Sequence, residues 1–151
     1  MQDTKATLDT NFDDMLEYGK IFGKEDNAQK WVDGQKKKLE AVQSKLKNLP
    51  KVKAFVFDSE DGDPFTVFEG YTTNILKLIG VDPDYIIIVD YSTSDRTEDD
   101  FAMKVDKMKN NPQLASVKAI KENHFIRVKL SEITPGVRTV DALERLAKEM
   151  H

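Results

Sequence analysis

Five consecutive apolar residues, Tyr85-Ile86-Ile87-Ile88-Val89, constrain the fold of this chain more than any other stretch. A strand with one face in water alternates polar and apolar residues, so an unbroken apolar run predicts a strand that is covered on both faces. Strands of that kind occur in parallel sheets with helices on either side. An earlier stretch, Val52–Asp58, is also largely apolar and, like the run that reaches Asp90, ends in a carboxylate. Ligands of α/β proteins bind at such strand ends.

Helical periodicity surrounds these strands. The longest pattern starts near Glu25 and ends near Asn48, with apolar residues at alternating four- and three-residue steps. A shorter helix is expected before it, capped by Asn11 or Asp13 and interrupted by Gly19 and Gly23. Three further helices are predicted around Tyr71–Ile79, Phe101–Met108 and Thr134–Met150, and two further strands at Val117–Ile120 and Phe125–Leu130.

The order of elements predicts an α/β fold, a mainly parallel sheet flanked by helices and preceded by a long α-helix. We divide the chain into an N-terminal segment with a short helix (1–24), a long helix of interdomain type (25–49) and an α/β ligand-binding lobe (50–151). In the last helix, Pro135 is expected in the first turn, and Val137, Val140 and Leu143 are expected in the buried stripe.

Charge and composition narrow the function. The net charge of −4 and the absence of a basic tract with aromatics argue against a nucleic-acid partner. The absence of cysteine excludes disulfides, thiolate metal sites and a cysteine nucleophile. No stretch is apolar enough to predict a membrane span, and the first residues do not have the pattern of an export signal.

Motifs for catalysis are few. No phosphate-binding loop, nucleophile elbow or zinc-protease motif is present, and neither His124, at an expected hairpin turn, nor the terminal His151 is expected to be catalytic. One enzyme hypothesis takes Asp58 and Asp90, at neighbouring strand ends, as a magnesium site for phosphoryl transfer, with Lys121 near the phosphate. Aspartates at strand ends also serve as caps and turn formers, which is the alternative role for both.

Several segments, in this order and spacing, resemble one protein family. They are Asn11-Phe12 through Gly23–Ala28, Phe55–Thr66, Asp82–Val89, Val117–Asn123 and Thr134–Arg138. Together they are similar to the C-terminal part of bacterial ABC-transporter substrate-binding proteins for ferric siderophores, haem and cobalamin, known as class III periplasmic binding proteins.

The resemblance implies a Rossmann-like lobe and the long helix that joins two such lobes. The N-terminal lobe is the part of the family pattern that the sequence lacks. A family segment with a Ser-x-Glu motif, whose glutamate docks on the permease, is also absent, because Gly80-Val81-Asp82-Pro83 closes that gap directly.

The function implied by the resemblance is solute binding without catalysis, in an iron(III)-siderophore uptake system. The ligand would be a ferric siderophore, with haem or cobalamin as second choices, and no cofactor or bound metal is expected. The partners would be the missing lobe and an ABC permease. The protein itself would lie in the periplasm or would be a lipoprotein on the outer face of the cell membrane. The phosphoryl-transfer enzyme and a scaffold lobe that binds nothing are the two competing hypotheses for function.

Ligand contacts are expected from the loops that follow the strands. The resemblance places them at 59–68, 91–96 and 131–138. Arg96 is the first choice for a charge-assisted contact to an anionic complex, with Phe65 and Tyr91 as aromatic walls and Arg138 as a further ligand residue. A surface ion pair is the competing role for both arginines, for Arg96 with Asp99 or Asp100 and for Arg138 with Asp141 or Glu144. An isolated lobe is also expected to self-associate through the apolar surface that a partner lobe would cover.

Overall fold

The computed structural model describes residues 7–57, 82–92, 99–112 and 114–151. Its helices are α1 (Leu8–Ile21), α2 (Glu25–Leu46), α3 (Asp100–Asn110), α4 (Lys118–Lys121), α5 (Leu130–Ile133) and α6 (Thr139–Met150). Its strands are β1 (Ala54–Phe57), β2 (Tyr85–Asp90) and β3 (Phe125–Lys129). The predicted helix at Tyr71–Ile79 lies outside the described residues. None of the helices within these ranges is both long and apolar enough to cross a membrane.

The three described strands form one parallel sheet in the order β1-β2-β3. The apolar run is therefore the middle strand, and Ile86, Ile88 and Val89 are each at most 1% exposed. Helices α3 and α4 contribute Met108, Ala119 and Ile120 to the core around Phe57 and β2. The predicted α/β fold with a parallel sheet is confirmed.

Helix α1 begins earlier than predicted. Its N-cap is Thr7, whose side chain accepts the backbone N–H of Thr10 while the Thr10 hydroxyl accepts the N–H of Thr7. The predicted caps Asn11 and Asp13 lie inside the helix, and buried Asn11 instead donates from its side-chain amide to the carbonyl of Gly136. Gly19 does not interrupt the helix. Gly23 follows its end with φ +61°, a conformation that glycine adopts without strain.

Helix α2 matches its predicted bounds within two residues. Its buried residues Ala28, Val32 and Gln35 recur at four- and three-residue steps. Val32 shares a small core with Phe12 of α1 and Val140 of α6, and the ring of Phe12 meets Trp31 edge to face. The amphipathic pattern alone is enough to place this helix.

One predicted strand is wrong. Val117–Ile120 is not a strand: α4 occupies it, because Lys118 N–H donates to the Asp82 carboxylate and the chain turns through Asn123 at φ +59°. His124 therefore follows a helix and not a hairpin.

The last helix starts at Thr139 and not at Pro135, with α5 and a turn before it. Val140 is buried as predicted, but Val137 lies before the helix and is 50% exposed, and Leu143 is 36% exposed.

The chain forms two compact units. One combines the described residues up to Leu49 with Ser131–Glu149, and the other comprises the described residues of Pro50–Leu130. The segment with α6, which the sequence prediction places in the 50–151 lobe, groups with α1 and α2.

Asp84 connects three elements at the amino end of the sheet. Its carboxylate accepts the backbone N–H of Lys53, just before β1, at 2.9 Å and the Nζ of Lys118, on α4, at 2.6 Å. The bond from Lys118, followed by the bond from Lys53, lowers the pKa of Asp84 below its usual value. The same ion pair raises the pKa of Lys118.

Gly19→Ala should destabilise the fold, because a Cβ at this position would lie 2.5 Å from the Cβ of Ala28 where α1 crosses α2. We expect a loss of about 1–3 kcal/mol in the free energy of unfolding, typical of overpacking. Gly34→Ala is the matched control, since a Cβ there meets nothing within 4 Å and alanine favours the helix by roughly 0.5–1 kcal/mol. Urea unfolding of both variants measures the difference, and equal midpoints would contradict the close approach.

Lys118→Met should raise the pKa of Asp84 toward its usual value, measured by NMR titration of its carboxyl carbon. Because the folded-state pKa of Asp84 is depressed, the stabilisation is present above the unfolded pKa and is lost as pH falls through the folded value. The difference in thermal stability between wild type and variant should therefore shrink in acid. Lys121→Met, on the same short helix, is the control, and an identical Asp84 titration in all three proteins would refute the ion pair.

Candidate functional site

The candidate site lies where β2 and β3 end. Asp90, the last residue of β2, is in register with Lys129, the last residue of β3. Because the strands are parallel, both carboxyl ends lie at the same edge of the sheet, where open α/β sheets bind ligands. The residues that follow β2, Tyr91 and Ser92, lie at this rim.

A buried lysine occupies the centre of the rim. Lys104 of α3 is 1% exposed, and its Nζ lies 2.7 Å from the carbonyl oxygen of Val89 and 2.7 Å from Oδ2 of Asp100. The same ammonium lies 5.0 Å from the centroid of the Tyr91 ring, within the range of a cation–π contact. A buried ammonium needs such partners, since removing it from water costs several kcal/mol.

Asp100 and Ser92 hold two distant backbone positions together. The Tyr91 N–H donates to Asp100 Oδ2 at 3.0 Å, and the Asp100 N–H donates to Ser92 Oγ at 3.2 Å. Residues 92 and 99 flank the part of the chain that contains Arg96. These bonds hold Tyr91 and Ser92 next to Asp100.

Asp90 is an almost fully buried carboxylate, 2% exposed. Its Oδ1 accepts the Ser92 N–H at 2.8 Å, which forms a tight turn after the strand. Its Oδ2 lies 3.7 Å from Nε of Arg127, a position on β3 that is in register with Ile88. Asp90 therefore shapes the turn and balances the charge of Arg127.

Arg127 extends the network to the start of α3. Its guanidinium binds Asp99 Oδ1 at 2.5 Å and lies 4.5 Å from the centroid of the Phe101 ring. The bond from Arg127, followed by the bond from the Ala102 N–H that Asp99 accepts as N-cap, lowers the pKa of Asp99. Asp99 thus stays ionised over the whole neutral range.

The predicted site residues fall in three places. Tyr91 lies at the rim, half-buried. Phe65 and Arg96, like Asp58 of the magnesium hypothesis, lie outside the described residues. Arg138 is an exposed residue directly before α6, in the other compact unit.

The acidic residues considered as partners for these arginines meet different cations in the structure. Asp99 binds Arg127 and Asp100 binds Lys104. In the other unit, Asp141 binds Lys38 at 2.6 Å and Glu144 binds Lys148 at 2.8 Å.

Lys104 and Arg127 are missed by the sequence prediction. A signal for Lys104 exists, because it falls at helical spacing between Phe101, Val105 and Met108, within the apolar stripe of α3. A lysine in such a stripe has to find an anion inside the fold. Arg127 carries a weaker signal, as the central polar residue of an alternating strand.

The described part of the rim is a network of paired charges. Its charged side chains hold one another and the backbone, and none of the described residues forms a group of three or more Asp, Glu, His or Cys that could bind a metal ion. Among the described residues of the rim, Tyr91, Phe101 and Arg127 are partly exposed, and Asp99 and Lys129 are exposed.

Comparison with known proteins places the chain in a family. The sequence profile of the periplasmic binding protein family matches residues 1–74. No curated protein sequence matches the chain.

Solved structures give a broader match. A periplasmic binding protein from Veillonella parvula is 53% identical over 98% of this chain, with a TM-score of 0.78. An ABC-type Fe3+-hydroxamate transport protein from Saccharomonospora viridis is 17% identical over 95% of this chain, with a TM-score of 0.72. The S. aureus protein IsdE, solved in complex with heme, is 17% identical over 96%, with a TM-score of 0.67.

The chain spans 58% of the Veillonella protein, 56% of the Saccharomonospora protein and 65% of IsdE. The two more distant proteins support the fold, and the Veillonella protein matches closely along nearly the whole of this chain. The chain belongs to the periplasmic binding protein family.

Proposed function

We propose that this protein is the solute-binding component of an ABC uptake system and that its solute is a ferric siderophore, bound without catalysis. The observation that carries the proposal is the 53% identity to a periplasmic binding protein over 98% of the chain. Support for the solute comes from a structural neighbour described as an Fe3+-hydroxamate transport protein. Haem is the second candidate solute, because another neighbour was solved with heme.

The rim network supports binding rather than turnover. A general acid or a nucleophile must be able to reach the substrate. Lys104 is instead buried and bound to the Val89 carbonyl and to half-buried Asp100. Buried Asp90 accepts the Ser92 N–H and lies beside Arg127. Their arrangement is that of a rigid base from which ligand-binding loops extend.

We assign the ligand contacts to Phe65, Tyr91, Arg96 and Arg138. The Lys104 ammonium lies over the ring of Tyr91, and the backbone N–H of Tyr91 donates to Asp100. Because these contacts already hold the residue in place, its ring can lie against the ligand at little entropic cost. Arg96 and Arg138 would supply the positive charge for an anionic complex. Phe65 would add a second aromatic wall.

The partners follow from the same proposal. The full binding cleft would include a second lobe, and the loaded protein would deliver its solute to an ABC permease. It would act outside the cytoplasm, in a periplasm or as a lipoprotein on the outer face of the cell membrane. If no solute binds, the competing hypothesis of a scaffold lobe that binds nothing would be favoured.

The test is an NMR titration of the ¹⁵N-labelled chain with gallium-loaded siderophores, which mimic the ferric complexes without paramagnetic broadening. We expect a hydroxamate or a catecholate complex to shift the amides of Tyr91, Ser92 and Arg138 in a saturable manner. Arg96→Ala should weaken the affinity roughly 10- to 100-fold, the range of a lost hydrogen bond to a charged group. Lys30→Ala, on the exposed side of α2, should leave the affinity unchanged.

Competing solutes and functions are separated in the same experiment. Saturable shifts at the rim with haem alone would replace the siderophore. Shifts at Asp90 on addition of Mg²⁺ would favour the phosphoryl-transfer hypothesis. No saturable shift at Tyr91 or Arg138 with any of these ligands would reject the assigned contacts.

A further inference from the structure

The turn that leads into α6 carries Arg138 at its end. Arg138 occupies the N-cap position of α6 and makes no side-chain bond to the first turn of that helix. Its side chain is exposed. Two bonds within the turn are long, since the Thr139 N–H donates to the Gly136 carbonyl at 3.4 Å and the Thr139 hydroxyl donates to the Thr134 carbonyl at 3.4 Å. Bonds of that length contribute little to holding the turn.

A shorter bond reaches the same turn from another helix. Nδ2 of Asn11, on α1, donates to the Gly136 carbonyl at 3.1 Å, across 125 positions of the chain. The next residue of α1, Phe12, shares a core with Val140 and Val32, and Val140 lies four positions after Gly136. Two adjacent residues of α1 therefore hold the start of α6, Phe12 by packing and Asn11 by a directional bond.

Asn11 is an unfavourable residue for its position in every respect except this bond. Asparagine is a poor residue for a helix interior, because its side chain competes for backbone hydrogen bonds. Asn11 is also only 7% exposed, and a buried amide is costly unless it is hydrogen-bonded. The bond to Gly136 compensates for that cost, and it acts on the segment that leads to Arg138.

We propose that Asn11 is a positioning residue for Arg138. The inference rests on the proposed function, in which Arg138 is a ligand contact. Asn11 acts through the Gly136 carbonyl, two residues before the arginine, and is itself too buried to touch a solute. By holding residues 136–138 on α1 before the solute arrives, the bond reduces the conformational entropy that Arg138 loses on binding. Loss of the bond should therefore weaken binding through Arg138.

The first test needs no solute. Asn11→Leu keeps the size of the side chain and removes the donor, so we expect the ¹⁵N heteronuclear NOE of the Val137 and Arg138 amides to fall. Gln35→Leu is the matched control, because Gln35 is likewise a buried amide, 7% exposed, and its Oε1 has no hydrogen-bond partner among the described residues. Its NOE values should equal those of wild type. Should Asn11→Leu not fold, Asn11→Ser, whose hydroxyl is too short to reach Gly136, should show the same loss.

The second test measures binding, by titration of each variant with gallium-loaded hydroxamate and catecholate siderophores. Asn11→Leu should weaken the affinity roughly 3- to 10-fold, as expected for lost preorganisation of one contact, and Gln35→Leu should leave it unchanged. The double variant Asn11→Leu/Arg138→Ala should bind no more weakly than Arg138→Ala alone, because residues that act through one contact are not additive.

Unchanged NOE values at Val137 and Arg138 in the Asn11 variants would overturn the inference. So would additive losses of affinity in the double variant, or an Arg138→Ala variant that binds like wild type. A wild-type chain that binds no solute would reject the proposed function and, with it, the role of Asn11 in binding. The NOE comparison would then still decide whether Asn11 orders the turn, so the two failures are distinguishable.

Discussion

The buried ammonium of Lys104 is the interaction on which the rim depends. Lys104 binds the Val89 carbonyl, near the carboxyl end of β2, and the Asp100 carboxylate, at the start of α3, and so joins the two elements. A charge held at 1% exposure tolerates no loss of its partners, because an uncompensated buried ion costs several kcal/mol. The strand end, the helix start and the turn at Tyr91 are thus fixed relative to one another by one residue.

The sequence predicts those parts of the fold in which a single physical demand dominates. In β2 the demand is burial on both faces, and in α2 it is a regular apolar stripe. The wrongly predicted elements are those in which local bonds outweigh side-chain character. Val117–Ile120 is apolar enough for a strand, yet the Asp82 carboxylate accepts the Lys118 N–H and the next residues turn into α4.

The predicted starts of α1 and α6 fail for a related reason. Several residues near each start are acceptable caps by type. The selection of Thr7 depends on its reciprocal bonds with Thr10, and Asn11 is required elsewhere, at the Gly136 carbonyl 125 positions away in the chain. Bonds across that separation leave no trace in local periodicity. The rim can be predicted only in part. The sequence shows Lys104 as a lysine within an apolar stripe, but it does not show which residues that lysine binds.

The charge balance of the rim bears on how an anionic solute would be held. Within the network itself, Asp90, Asp99 and Asp100 face Lys104 and Arg127, so its carboxylates outnumber its cations by one. Both cations already bind carboxylates, and redirecting either toward a ligand would leave a carboxylate behind, in the case of Asp90 one that is almost fully buried. That cost argues that the rim network stays intact on binding. The attraction for an anionic complex must then come from cations outside the network, which is why we assign that role to Arg96 and Arg138 and assign to the network the task of holding Tyr91 in place.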